Sequence, residues 1–221
     1  LTVTILMIGA LGCSEHSGPA PLEPHRGIIL VISEDGTMTV GDRAVTLADW
    51  QHEVRTGIAR FGSTLRIAVK AQPDTAWSNV SSALGVARRL GHWRGYICTS
   101  GHETESVHVF LPAPEGSDKG PLVVSRAVSL VTIEVQPQSI FVGRKSLDLT
   151  ALTEFCRRLA QLDDRQTILV LPDGEATFQA VSDVLRCVAD SSLVNISVMD
   201  EEEWHNLPLH PTADPSAALR P

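Results

Sequence analysis

The sequence is poor in positive charge. Its 221 residues include 18 lysines and arginines against 26 aspartates and glutamates, which gives a net charge of −8 at pH 7. A surface that binds nucleic acid needs clustered lysine and arginine side chains to neutralise phosphates. A polybasic face that binds anionic lipid has the same requirement. We therefore expect neither a nucleic-acid partner nor a polybasic membrane surface.

Signatures of catalysis and metal binding are also lacking. There is no Gly-x-Ser-x-Gly turn, no glycine-rich phosphate loop and no His-Glu-x-x-His motif. Ser100, His102 and Asp118 are close in sequence, but geometry defines a hydrolase triad, so we interpret them as polar loop residues. His92, His102 and His108 lack the tight ligand pairs of zinc sites. We predict no catalytic residue, no metal ligand and no cofactor.

Aromatic residues make up only 5% of the chain. We interpret Trp77 and Trp93 as core or edge aromatics rather than a platform for a ligand. The acidic run at 201–203 is interpreted as the solvated end of an element rather than a cation site. Residues 206–221 contain four prolines and no apolar period, which predicts a disordered tail.

Residues 1–12 form an uncharged run, and Cys13 follows it directly. A polar, proline-containing segment comes next, at 14–25. The run is shorter than the roughly 20 apolar residues of a spanning helix, and it resembles the apolar core of a signal peptide. A small residue, Gly12, precedes Cys13, as in bacterial lipoprotein signals. We expect lipidation at Cys13 and a location on the periplasmic side of a bacterial membrane. An ordinary secretory signal, with a soluble periplasmic or secreted product, is the alternative.

Two segments, 26–111 and 121–205, follow one plan, and a linker at 112–120 joins them. Each opens with an apolar strand and a short strand ending in Val-Gly, and then alternates helix, strand, helix and strand. Thr46 and Asp49 have the spacing of a capping box, and Asp148 can cap the corresponding helix. Gly91 is placed to end a helix. The sequence thus predicts an α/β (α+β) fold of two tandem ββαβαβ domains.

The two helices of each repeat are expected to cover one face of a small mixed sheet. The other face is then exposed or meets the sheet of the second copy, which would make an internal pseudo-dimer. The strand at 167–171 is more uniformly apolar than the one at 65–71, so it should be the more buried of the two. The two prolines and two glycines of 112–120 indicate a linker. Val107, Val109 and Leu111 occupy alternate positions, which predicts a further strand that completes the first sheet.

The remaining cysteines form no Cys-x-x-Cys pair, which argues against zinc-ribbon and thioredoxin-like sites. Cys156 and Cys187 fall on the two helices of the second repeat, which should pack side by side. They could form a disulfide in an oxidising compartment. The alternative, which we favour slightly, is two free buried thiols, because Cys187 lies off the apolar stripe of its helix.

Several segments of the first repeat resemble the soluble domains of the ExbD/TolR family. They are the stretch from Asp35 to Val40, the Val45-Thr46-Leu47 sequence, the strand from Leu65 to Ala71, and Asp74 followed by Trp77 and Val80. The second repeat keeps the pattern more loosely, with Ser139 and Ile140 in place of Asp-Gly. The resemblance covers about two thirds of the chain.

The resemblance implies a non-catalytic binding or scaffold protein of the cell envelope. Its implied partners are envelope proteins, peptides or cell-wall material. The lipid anchor expected at Cys13 would hold it at the membrane. The family's motor function depends on a transmembrane helix with a proton-accepting aspartate, and nothing here matches that helix. Residues 1–12 contain no carboxylate. The alternative hypothesis is an envelope hydrolase with a site between the two domains.

Overall fold

The computed structural model describes residues 27–98, 106–111, 130–163 and 165–200. These residues form four helices and one mixed sheet of eleven strands. The first half contains β1 (Gly27–Ile32), β2 (Met38–Val40), β3 (Arg43–Val45), α1 (Leu47–Phe61), β4 (Arg66–Ala71), α2 (Trp77–Arg89), β5 (Arg94–Cys98) and β6 (Ser106–Phe110). The second half contains β7 (Leu130–Gln136), β8 (Ser139–Val142), β9 (Lys145–Leu147), α3 (Leu149–Leu162), β10 (Thr167–Pro172), α4 (Phe178–Asp190) and β11 (Asn195–Val198).

The sequence predicts five strands in the first half, counting the alternating strand at 107–111, and four in the second, so each half has one strand more than predicted. The turns at Gly41 and Gly143, which adopt positive φ angles of 59° and 61°, return the chain into three-residue strands, β3 and β9. Glycine adopts such angles at little cost, so it suits the tight turn of a hairpin. Both short strands pair antiparallel with the strand before them and form the outer edges of the sheet.

All strands are hydrogen-bonded into one sheet, which corrects the expectation of two small sheets. The order is β3-β2-β1-β4-β5-β6-β11-β10-β7-β8-β9. β6 pairs antiparallel with β5 on one side and parallel with β11 on the other, so it joins the halves edge to edge. The expectation that one sheet would pack its face against the other is wrong. The halves instead meet at their edges, because the edge strand of the first half, β6, pairs with the edge strand of the second, β11.

The helices pack side by side on one face of the sheet, where they share a single core. Trp50, Trp77 and Phe178 are fully buried there and belong to one cluster with inward residues of both halves, such as Ile67 and Ile168. The predicted capping box is confirmed: the Asp49 amide donates to Thr46 Oγ1 at 3.2 Å, and the Thr46 amide donates to Asp49 Oδ2 at 2.9 Å. We call the opposite face of the sheet, which no described helix covers, the far face.

A second contact between the halves lies above the sheet, just before α2 and α4. The Trp77 amide donates to the Ala176 carbonyl and the Phe178 amide donates to the Thr75 carbonyl, each at 2.8 Å. The bridge between Ala76 and Thr177 is antiparallel, and its two sides come from corresponding positions of the halves. Contacts that are the same from both sides are those of a two-fold interface.

Candidate functional site

The far face of the first half presents rings and positive charges in an ordered grid. Strand register places Arg66 beside Arg94, and Arg94 beside Phe110. The next row holds Ala68, Tyr96 and His108. Because side chains alternate along a strand, all of these point away from the helices.

The aromatic rings in this grid contact one another. The ring centroids of Tyr96 and His108 are 5.1 Å apart, and those of His108 and Phe110 are 4.8 Å apart in an edge-to-face arrangement. Trp93 stacks on Phe110 with 5.8 Å between centroids. Aromatic pairs favour these offset and edge-on geometries. The rings therefore form a continuous cluster along β5 and β6.

Two guanidinium groups lie over these rings. Arg94 is 4.1 Å from the centroid of Trp93, and Arg66 is 5.9 Å from that of Tyr96, both within cation–π range. Burial lowers the pKa of His108, and the charges of Arg94 and Arg66 lower it further. Both causes disfavour the protonated form of His108. Sequence reasoning placed His108 on a solvated face; it does point away from Val107 and Val109, but it is half-buried among rings.

The cavity between the halves is small. It lies between α2 and the end of β11, has a volume of about 20 Å³, and is lined by residues that include Ser81, Arg88 and Asp200. Such a volume holds about one water molecule. Of the titratable residues in its lining, only Asp200 is a carboxylate, so the described residues offer no carboxylate pair there.

The predicted cysteine pair is placed on facing helices. Thr153 Oγ1 donates to Cys187 Sγ at 3.3 Å, and burial, with Cys187 beside it, raises the pKa of Cys156 to about 12. Both residues are free thiols in the structure, as is Cys98. The disulfide between them stays a prediction.

Some of the other residues that the sequence analysis singled out belong to the described part of the chain, and others do not. Cys13, Ser100, His102, Asp118 and the 201–203 run all lie outside the described residues. Trp77 is a core residue, as predicted, and its indole N–H is buried without a partner. His92 is buried beside the end of α2, and the described residues contain no cluster of ligands for a metal ion. Within the same residues, no helix is long and apolar enough to cross a bilayer.

Sequence reasoning missed Arg66, Arg94 and Tyr96 as members of a site. The alternation of β4 marks Arg66 as outward-facing, but only the parallel register with β5 brings Arg94 next to it. No protein-family model matches this sequence, and no curated protein sequence matches it.

Proposed function

We propose that the chain is a non-catalytic binding or scaffold protein of the cell envelope, built from two tandem domains that resemble the soluble domain of ExbD/TolR proteins. The proposal treats the halves as one pseudo-symmetric body, anchored on the periplasmic side of the membrane by a lipid at Cys13. Its partners are envelope proteins, peptides or cell-wall material. The alternative of a hydrolase has less support, because the cavity between the halves has room for about one water.

The observation that carries the proposal is the far face of the first half. Ile29 is 43% exposed there, and Arg94 and the half-buried Tyr96 lie on the same face. Aromatic and arginine side chains are among the residue types most enriched in protein interfaces.

The experiment uses a photo-crosslinking residue at one position of the full chain. Placed at Ile29, on the far face, it should give a saturable adduct when the chain is mixed with envelope extract. Placed at Leu162, which is 85% exposed at the end of α3, the same group should give none. Both positions are exposed and apolar, so the contrast reports the face rather than reactivity.

Two outcomes contradict the proposal. Adducts of equal yield at both positions would mean that the far face has no partner of its own. Turnover of an ester, peptide or glycan substrate that one side-chain change abolishes would make the protein an enzyme.

A further inference from the structure

Arg66 and Arg94 lie side by side on adjacent strands. The register pairs Ile67 with Gly95, so the two arginines are neighbours across β4 and β5, where strands are about 4.8 Å apart. Like charges in such positions destabilise a sheet. The described residues give neither guanidinium an acidic partner. Among the described residues, nothing acidic offsets the repulsion within the pair, which a bound anion would relieve.

The fold itself does not require these arginines. In the second half, the register of β10 with β11 pairs Thr167 with Asn195. These two residues are equivalent to Arg66 and Arg94 of the first half. The same strand pairing therefore forms with neutral side chains. Strand pairing alone therefore does not explain why two arginines lie side by side here.

The surroundings of the arginine pair form a part of the far face that we call the arginine patch. Ala68, which is 1% exposed, lies there between Ile29 on β1 and Tyr96 on β5. Lys70 follows Arg66 four residues along β4, which corresponds to about 13 Å. The strands β1, β4, β5 and β6 contain no acidic residue. Arg66 and Arg94 therefore give the arginine patch its positive charge, and Ile29 and Tyr96 lie beside it.

We propose that the arginine patch binds an acidic peptide segment of a partner protein, with a carboxylate held by Arg66 and Arg94. The inference rests on the proposed function and names the chemistry of its partner. A guanidinium donates two parallel hydrogen bonds to a carboxylate. Apolar side chains of the segment lie against Ile29 and Tyr96. A net charge of −8 repels a long polyanion, whereas a few carboxylates meet mainly the local positive field.

The probe is a fluorescein-labelled octapeptide, Gly-Glu-Phe-Glu-Val-Glu-Phe-Gly, together with its glutamine counterpart, and binding to the full chain is followed by anisotropy. We expect the glutamate peptide to bind about tenfold or more tightly than the glutamine peptide, which is the effect of one charge-assisted contact. The affinity should fall with added salt.

The test variant is Arg66→Thr with Arg94→Asn, which installs the residues that the second half carries at these positions. We expect it to lose the preference for glutamate over glutamine. The matched control is Arg144→Gln with Arg165→Gln, which removes the same charge from exposed positions of the second half and should keep the preference. A thermal melt checks folding: the midpoint of the test variant should stay the same or rise, because the repulsion is relieved.

If the double variant does not fold, Arg94→Gln serves in its place, since that side chain is exposed. An equal loss in the test and control variants would overturn the inference, because it would show non-specific charge attraction. Tighter binding of a single-stranded oligonucleotide through the same arginines would also overturn it. A neutral partner crosslinked at Ile29 would refute this inference and leave the proposed function standing.

Discussion

At equivalent positions on the far face, the first half carries Arg66, Lys70 and Arg94, and the second half carries Thr167, Leu171 and Asn195. Burial differs in the same way. In the first half Arg94 is exposed and Lys70 is half-buried, whereas in the second half Leu171 is 2% exposed. The two halves thus have the same strand pairing at these positions, but the first carries charged side chains there and the second carries neutral ones.

The helix-facing side of the sheet shows no such divergence. Ile67 and Ile168 are buried at equivalent positions, as are Val69 and Val170, and Trp77 is matched by Phe178. A close-packed core tolerates little change in volume. Positions that face the helices are therefore constrained by packing in both halves, and differences in binding are expected on the far face.

The largest expected effect tests whether the shared core makes the halves one unit. Trp77→Ala and Phe178→Ala each remove a fully buried ring and should lower the free energy of unfolding by about 3–5 kcal/mol. Both variants should still unfold in one transition, which calorimetry and near-UV circular dichroism would follow. Two separate transitions, with only the mutated half destabilised, would show that the halves fold independently.

A smaller effect should come from exchanging one pair of far-face residues. Leu171→Lys puts a charge at a buried position and should cost about 3 kcal/mol, measured by urea denaturation. The reciprocal change, Lys70→Leu, removes a charge from a half-buried position and buries none, so it should cost less than Leu171→Lys. Equal costs for the two changes would contradict the difference in burial between the halves.

The smallest expected effect is a pH dependence that comes from the first half. Burial, followed by the charge of Arg94, lowers the pKa of His92, and burial and both arginines lower that of His108. Folded histidines with lowered pKa values stay neutral, whereas the unfolded chain takes up protons below about pH 6.5. The free energy of unfolding should therefore fall as the pH drops below about 6.5.

The control for this prediction is the double variant His92→Gln with His108→Gln. It should flatten the dependence of the melting temperature on pH between 7.5 and 5, in thermal melts at fixed ionic strength. The described residues of the second half contain no histidine, so that half supplies no compensating term. A dependence that survives in the double variant would assign the effect to other groups.

Local elements of the fold could be predicted from the sequence. The four helices follow from their apolar periodicity, and Thr46 and Asp148 cap α1 and α3 as expected. Gly91 lies two residues after the end of α2, just beyond the C-cap Leu90, and has φ of +78°, as predicted. Ser192, which has φ of +69°, takes the same place after α4, and a serine gives little signal for that conformation.

The joining of the halves could not be predicted in this way. β3 and β9 have only three residues each, too few to show an alternating pattern. The pairing of β6 with β11 joins distant parts of the chain, and neither strand shows in its own sequence which edge it will meet. The arginine pair of the candidate site has the same origin, because it depends on strand register rather than spacing along the chain.

The position of β6 has a consequence for the order in which the chain folds. β11 ends roughly 90 residues after β6 ends. Because the chain is synthesised from its N-terminus, β6 has no second neighbouring strand until those residues have been made. At about 5–20 residues per second, that wait is on the order of 5–20 s. An unpaired strand edge is a template for pairing with another chain. Biosynthesis thus passes through a stage in which self-association between nascent copies competes with completion of the sheet.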